Sequence, residues 1–291
     1  MRIAAHLGVM DEVELIAPAI AHLERIGVDH LLVCDMGSTD GTWEVLEQHR
    51  GEHVELLQLS NSDSGEEWDR ANLALVRDAP ADWVLFLDAD ELWLPPGGSL
   101  RACVDLAEHD VVTVDRHNVP LGAMGPLCPP DPGPDQYDEV LVYVDAAPDW
   151  RAHLEANPTT PWSSGVPMPK LIARREVIEG FAAGMHDVLG RPDLRRTTAR
   201  DTLIAHLPFT TLERFARKVV NIREVHLHHE EYATGRSGWH WLRWVRAADE
   251  GRLEEEFERQ RVDDDALLAL RSAGRVVSAA ARLERLQGRT A

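Results

Sequence analysis

Cysteine is scarce in this 291-residue chain, and Cys34, Cys103 and Cys128 stand far apart. Three such residues make neither a disulfide framework nor a zinc spacing, so a reducing cytoplasm is the expected setting. Long apolar runs are missing as well. No stretch reaches the roughly 18 consecutive apolar residues of a membrane span. The N-terminus enters a strand-like segment broken by His6 and Asp11, unlike the uninterrupted apolar core of a secretory leader. Clusters of lysine and arginine are absent too, and the formal charge is −20. Such a chain is repelled by nucleic-acid backbones and anionic membrane surfaces. A small anionic ligand stays admissible where a divalent cation or local arginines reverse the field.

What is present is a hydrophobic content of 44%, enough for a sizeable core. The length suits one elaborated α/β domain or a core with a helical appendage. Strand and helix signals alternate through the first part. Strands are expected at Arg2–Val9, Val28–Cys34, Val54–Leu59, Trp83–Leu87 and Val111–Val114. Helices are expected at Asp11–Ile26, Asp40–Gln48, Gly65–Arg77 and Ser99–Glu108. This spacing predicts a mostly parallel sheet with right-handed crossovers, flanked by helices. The segments 120–134 and 146–169, around a short strand at Val140–Val144, read as irregular loops, either binding elements or disorder. Further strands are expected at Lys170–Ala173, Val177–Phe181 and Thr202–His206, then a helix from Thr210 to about Tyr232. The remainder, Trp239 to Gly288, reads as a charged helical extension, packed on the core or on a second copy as a homodimer. The divisions expected are 1–118, 119–209 and 210–291.

The segment Trp83–Glu91 carries the strongest chemical signal, because a buried apolar strand ends in Asp88, Asp90 and Glu91. Carboxylates crowded at a strand tip repel one another unless a cation or solvent compensates them. Ligands of open α/β sheets bind beyond the carboxyl ends of strands, so this tip reads either as a cation site or as a solvated turn cap. A second strand ends in Asp35-Met-Gly-Ser-Thr-Asp40-Gly-Thr42. Its glycines allow a tight turn, Ser38 to Asp40 can cap the next helix, and Asp35 can accept hydrogen bonds from a base or ribose. Replacing Asp88 or Asp90 is expected to remove activity with little loss of folding, since both lie at a strand tip outside the core.

Taken with Val9-Met-Asp11-Glu12-Val-Glu-Leu-Ile16, these segments resemble glycosyltransferase family 2, nucleotide-sugar-dependent enzymes with a GT-A fold. The resemblance covers residues 1 to about 118 and continues weakly through Lys170, His186 and His206–Lys218. It implies transfer of a sugar, typically with inversion, from a nucleotide diphosphate donor such as a UDP-sugar to a hydroxyl of a small-molecule or saccharide acceptor. It also implies that Glu12 and Asp35 hold the nucleoside and that Asp88 and Asp90 form the motif that binds Mn²⁺ or Mg²⁺. Hard carboxylate oxygens suit either ion, which neutralises the leaving diphosphate as a Lewis acid. Arg70 lies near the family's Arg-Asn pair, with one residue inserted before Asn72, and is the candidate contact to the donor. A third metal ligand is expected at His186, or next at His206; a histidine there favours manganese. The acceptor's general base has no clear counterpart, and Asp187 is the first candidate, ahead of Glu179 and Asp138.

Two other readings compete. One is a noncatalytic nucleotide-sugar or carbohydrate-binding relative; the other is a sugar nucleotidyltransferase, disfavoured because a basic glycine-rich loop is missing after the first strand. The cluster His226, His228, His229, Glu230 and Glu231 reads as a solvated helix face. Trp239, Trp241 and Trp244 read as a sugar platform or as packing.

Overall fold

The computed structural model describes residues 1–60, 63–228, 230–235 and 238–288. The elements that place the site are, in order, β1 (Ile3–Val9), α1 (Ile16–Arg25), β2 (His30–Asp35), α2 (Thr42–His49), β3 (Val54–Gln58), α3 (Gly65–Asp78), β4 (Trp83–Asp88), β5 (Glu91–Leu94), β6 (Val111–Val114) and β7 (Arg116–Asn118). There follow β8 (Leu141–Tyr143), β9 (Lys170–Arg174), β10 (Arg196–Thr198), β11 (Leu203–His206), α4 (Leu212–His228), α5 (Trp239–Asp249), β12 (Val276–Ser278) and α6 (Ala279–Gln287).

The central sheet has the order β10-β6-β9-β4-β1-β2-β3 and is parallel except for β9. This is the mainly parallel α/β arrangement expected. Helices cover both faces: α1 and α2 pack through Ile16, Ile20, Leu23 and Leu46 on one, and α3 through Val76 on the other. The apolar positions of α1 recur at the i, i+3, i+4, i+7 spacing of a helix that buries one stripe. A fully buried leucine such as Leu23 contributes about 1.5–3 kcal/mol by leaving water. Gly27, at φ +93°, ends that helix in the left-handed region.

Two expected helices differ from those found. Asp11 to Leu15 do not start α1, because Asp11 sits at φ +53° and its carboxylate accepts the Thr39 N–H at 2.6 Å. The segment Ser99–Glu108 forms two short 3₁₀ turns, Leu100–Ala102 and Val104–Ala107. Asp201 caps the Val104 N–H at 3.1 Å, and Asp105 is drawn into a pair with Arg200 at 2.9 Å, so tertiary contacts override helix propensity there. The expected strand Val177–Phe181 shrinks to a two-residue bridge, Gly180–Phe181.

A second sheet, β5-β11-β7, sits beside the end of β4. Its register sets His206 between Glu91 and Asn118. The last part of the chain is helical, as expected, but contains β12, which pairs antiparallel with β8. α4 and α5 close an aromatic cluster of Phe209, Phe215, Trp162, Trp244 and Phe257. Trp244 is buried there, and Trp241 stacks on Tyr232, so both are used in packing. Of the histidine-rich segment, His229 lies outside the described residues. No helix among the described residues is long and apolar enough to cross a membrane.

Candidate active site at the strand tips

Parallel strands bring their C-terminal ends to one edge, and there β1, β2 and β4 deliver Glu12, Asp35 and Asp88. The loops after β1 and β2 are joined by short polar side chains. Asp11 N–H donates to Ser38 Oγ at 2.9 Å, Glu12 N–H to Thr42 Oγ1 at 2.8 Å, and Val13 N–H to Asp40 Oδ2 at 3.1 Å. Asp35 is fully buried and accepts from the N–H groups of Gly37 (3.2 Å) and Ser38 (3.1 Å), from the Ser38 hydroxyl, and from Gln58 Nε2 at 3.1 Å. Its charge is spread over neutral donors, most of them in its own loop. Gly37 and Gly41, at φ +88° and +103°, supply the left-handed turns that aim those donors inward.

Each acid after β4 meets a cation from far along the chain. Lys170, at the start of the reversed strand β9, places Nζ 3.0 Å from the half-exposed carboxylate of Asp88. Arg116 pairs with buried Glu91 and lies 3.8 Å from Asp88. Arg214 of α4, itself 2% exposed, grips both oxygens of Glu12 at 2.6 and 2.7 Å and reaches Asp90 at 2.8 Å. Lys218, one turn on, lies 3.2 Å from Asp90. Desolvation pushes the Asp88 carboxyl up, but Lys170 and, more weakly, Arg116 leave it below the usual carboxylate range. Burial works against ionised Asp90 as well, and Lys218, with Arg214 beside it, holds it well below that range. Burial dominates at Glu91 and pushes it up to about 7.

The proton on His206 can be located from its partners. Asn118 Nδ2 donates to the Gly165 carbonyl at 2.9 Å, which leaves Asn118 Oδ1 to accept from His206 Nδ1–H at 2.6 Å. Burial lowers His206 to about 4, so the ring is neutral near pH 7 and its Nε2 lone pair faces Asp90 at 3.5 Å. Two acceptors facing each other call for a cation or a proton between them. Ligand atoms of Asp90, Glu91 and His206 lie within 4.8 Å of one another. This donor set suits a divalent ion, with Asn118 fixing the histidine from behind. The competing partners Arg116, Arg214 and Lys218 already satisfy part of its charge.

His186 and Asp187 sit on a turn with Gly184 at φ +68° and Met185 at φ +51°. Among the described residues, Met185 and Asp11 are the non-glycine residues at positive φ, and both lie in loops that carry candidate residues. His186 Nδ1 donates to the Pro169 carbonyl at 2.9 Å, next to Lys170. Burial, with Lys170 and Arg116 nearby, lowers it to about 4. The exposed carboxylate of Asp187 is bonded to Arg196 at 2.6 Å and to its neighbour's N–H, Val188, at 2.8 Å. Arg70 is exposed on α3, while Asn72 is buried and accepts from His6 at 2.7 Å. Asp138 accepts from Ser278 at 3.2 Å, beside β12.

The structure therefore joins Glu12 to Asp90 through Arg214 and joins Asp88 to the β9 side through Lys170. It places Arg70 and Asp187 outside those bonds. Asp90, 3% exposed, is not outside the core as its strand-tip position suggested, so its removal also affects folding. Sequence reasoning missed Arg116, Lys170, Arg214 and Lys218 as site groups, because none stands in a recurring pattern. A surface cavity of about 410 Å³ beside Asp82, Arg101 and Arg174 opens at the opposite end of β4. That end of a parallel sheet is not where such folds bind ligands.

The acids converge at the carboxyl edge of a mainly parallel sheet, where open α/β folds bind their ligands. Residues 9–122 match the family model for glycosyl transferase family 2. Among solved structures, that of S. aureus TarS 1-349 is similar at 15% identity and a TM-score of 0.41, over 82% of this chain and 74% of that one. Its complex with UDP-GlcNAc is similar at 15% identity and a TM-score of 0.39, over 88% and 79%. No curated protein matches the chain. The likeness to TarS is loose, and the fold stands on the chain's own strand order.

Proposed function

We propose that the protein is a metal-dependent, inverting glycosyltransferase that takes a sugar from a nucleotide sugar, UDP-linked on our reading, to a hydroxyl of a small-molecule or saccharide acceptor. The observation that carries this is the convergence of Asp90, Glu91 and His206, whose ligand atoms lie within 4.8 Å of one another at the tip where a glycosyltransferase domain would hold its donor. Asp90, Glu91 and His206 would hold Mn²⁺ or Mg²⁺, and Asp88 would border the donor. A divalent ion there supplies charge neutralisation for the departing diphosphate. The loop organised by Asp35, together with Glu12, offers the nucleoside a rigid, pre-arranged wall. The 186–187 turn supplies the proton acceptor: the Asp187 carboxylate, or His186 through the Nε2 left bare by its bond to Pro169. Unpaired cysteines at 34, 103 and 128 suit a reducing cytoplasm.

A crystal soaked with UDP and Mn²⁺ tests the reading. Metal density touching Asp90 and His206 supports it. Nucleotide bound at a different edge of the sheet, or no nucleotide at all, overturns it.

A further inference from the structure

Of the 30 basic residues in the chain only two are lysines, Lys170 and Lys218; arginine supplies all the others. Both lysines stand on the acids of the Asp88-Ala-Asp90 motif. Lys170 Nζ lies 3.0 Å from Asp88 and Lys218 Nζ lies 3.2 Å from Asp90. They arrive from unrelated elements, the reversed strand β9 and the helix α4. Helical and strand propensity do not require a lysine at either position.

The two cations differ physically. Arginine presents a rigid planar fork, which suits a fixed two-point grip such as that of Arg214 on Glu12. An ammonium is a compact charge with three donors that serves one carboxylate and still has donors to turn toward another oxygen. Burying one is costly unless it is well paired. Lys170 is nevertheless 2% exposed, and its Nζ is paired with the half-exposed Asp88 carboxylate. Arg116 adds a third charge there, and its Nε–H is buried without a protein partner. Across the cluster, Arg116, Lys170, Arg214 and Lys218 face Glu12, Asp88, Asp90 and Glu91. In a chain of charge −20 this is a local concentration of positive charge, four cations matched to four carboxylates.

We propose that Lys170 and Lys218 are the groups that grip the donor's diphosphate from its two sides, sharing their aspartates with its oxygens when the nucleotide binds. The proposal rests on the nucleotide-sugar reading above. Charge compensation in the donor-free protein and recognition of the diphosphate are then two uses of the same pair.

The test compares UDP with uridine as probes, by calorimetric titration of the full chain and of the variants K170M, K218M and D88N/K170M. The native protein is expected to prefer UDP over uridine. Each single variant should weaken UDP about tenfold or more while changing uridine less than about twofold. Lys218 is partly exposed, so K218M keeps the test open if K170M does not fold, and D88N/K170M removes the charge pair together. If the native protein discriminates UDP from uridine and K218M and D88N/K170M discriminate equally well, the lysine assignment is wrong and the transferase reading stands. If the native protein binds no nucleoside diphosphate, both fall.

Discussion

Two strand tips in this molecule carry buried acids, and they are held in opposite ways. Asp35 is satisfied by neutral N–H and O–H donors from residues 37, 38 and 58, most of them within its own loop. Asp88, Asp90 and Glu91 are satisfied by charged groups from β7, β9 and α4, reaching 124 residues along the chain in the case of Arg214 and Asp90. A locally neutral arrangement makes a rigid surface. A long-range ionic one joins the parts of the chain and stays responsive to whatever charge enters. The first suits a nucleoside, the second a diphosphate.

The comparison breaks most visibly at Arg214. Replacing it with methionine leaves Glu12 and Asp90 buried without their shared partner. A loss of about 3–5 kcal/mol in denaturant unfolding is expected, as for breaking a buried ion pair from one side. A loss below about 1 kcal/mol would mean that α4 does not hold the two tips together. D90N should come next, costing both activity and stability, whereas D88N, at a half-exposed position, should cost activity and a smaller share of stability through the buried Lys170 it leaves unpaired. Equal melting temperatures for the two variants would erase the contrast drawn here. On the neutral side, S38A removes the hydroxyl donor to Asp35 and the acceptor of the Asp11 N–H, and a loss of about 1–2 kcal/mol is expected.

Proton linkage gives the most specific effect. Burial raises Glu91 in the folded protein to about 7, so between about pH 4.5 and 7 the folded state binds more proton than the unfolded one. Stability should therefore fall as pH rises through that window, and E91Q should flatten the slope. Asp88 and Asp90 work the other way. Their depressed values contribute stability that is present above the unfolded carboxylate range near pH 4 and lost as pH drops through the folded values. A pH–stability profile of E91Q that keeps the native slope would show that Glu91 is not the group responsible.

The same contrast explains what was legible in the sequence. Most donors to Asp35 are its neighbours in the chain, so Gly37 and Ser38, which serve it, could be read in one line. The strand ending in Asp88 was legible from its apolar run. The cations were not, because Lys170 reaches Asp88 only through the reversed direction of β9, and Arg214 reaches Glu12 only through the return of α4. His206 was read as the second choice for a metal ligand, since nothing local shows that β11 inserts beside β5 and sets it against Glu91. The helix expected at Ser99–Glu108 failed for a similar reason: Arg200 and Asp201, about a hundred residues on, bond its first turns into another shape.

The central claim is a nucleotide-diphosphate site completed by a divalent ion at the tip of β4. Calorimetric titration of UDP into the metal-stripped protein, then into the same protein with Mn²⁺, tests it most directly. Binding that strengthens at least about tenfold with Mn²⁺, and loses that gain in H206A, is the predicted result. Absence of binding to UDP and to every other common nucleoside diphosphate, with or without metal, would contradict it.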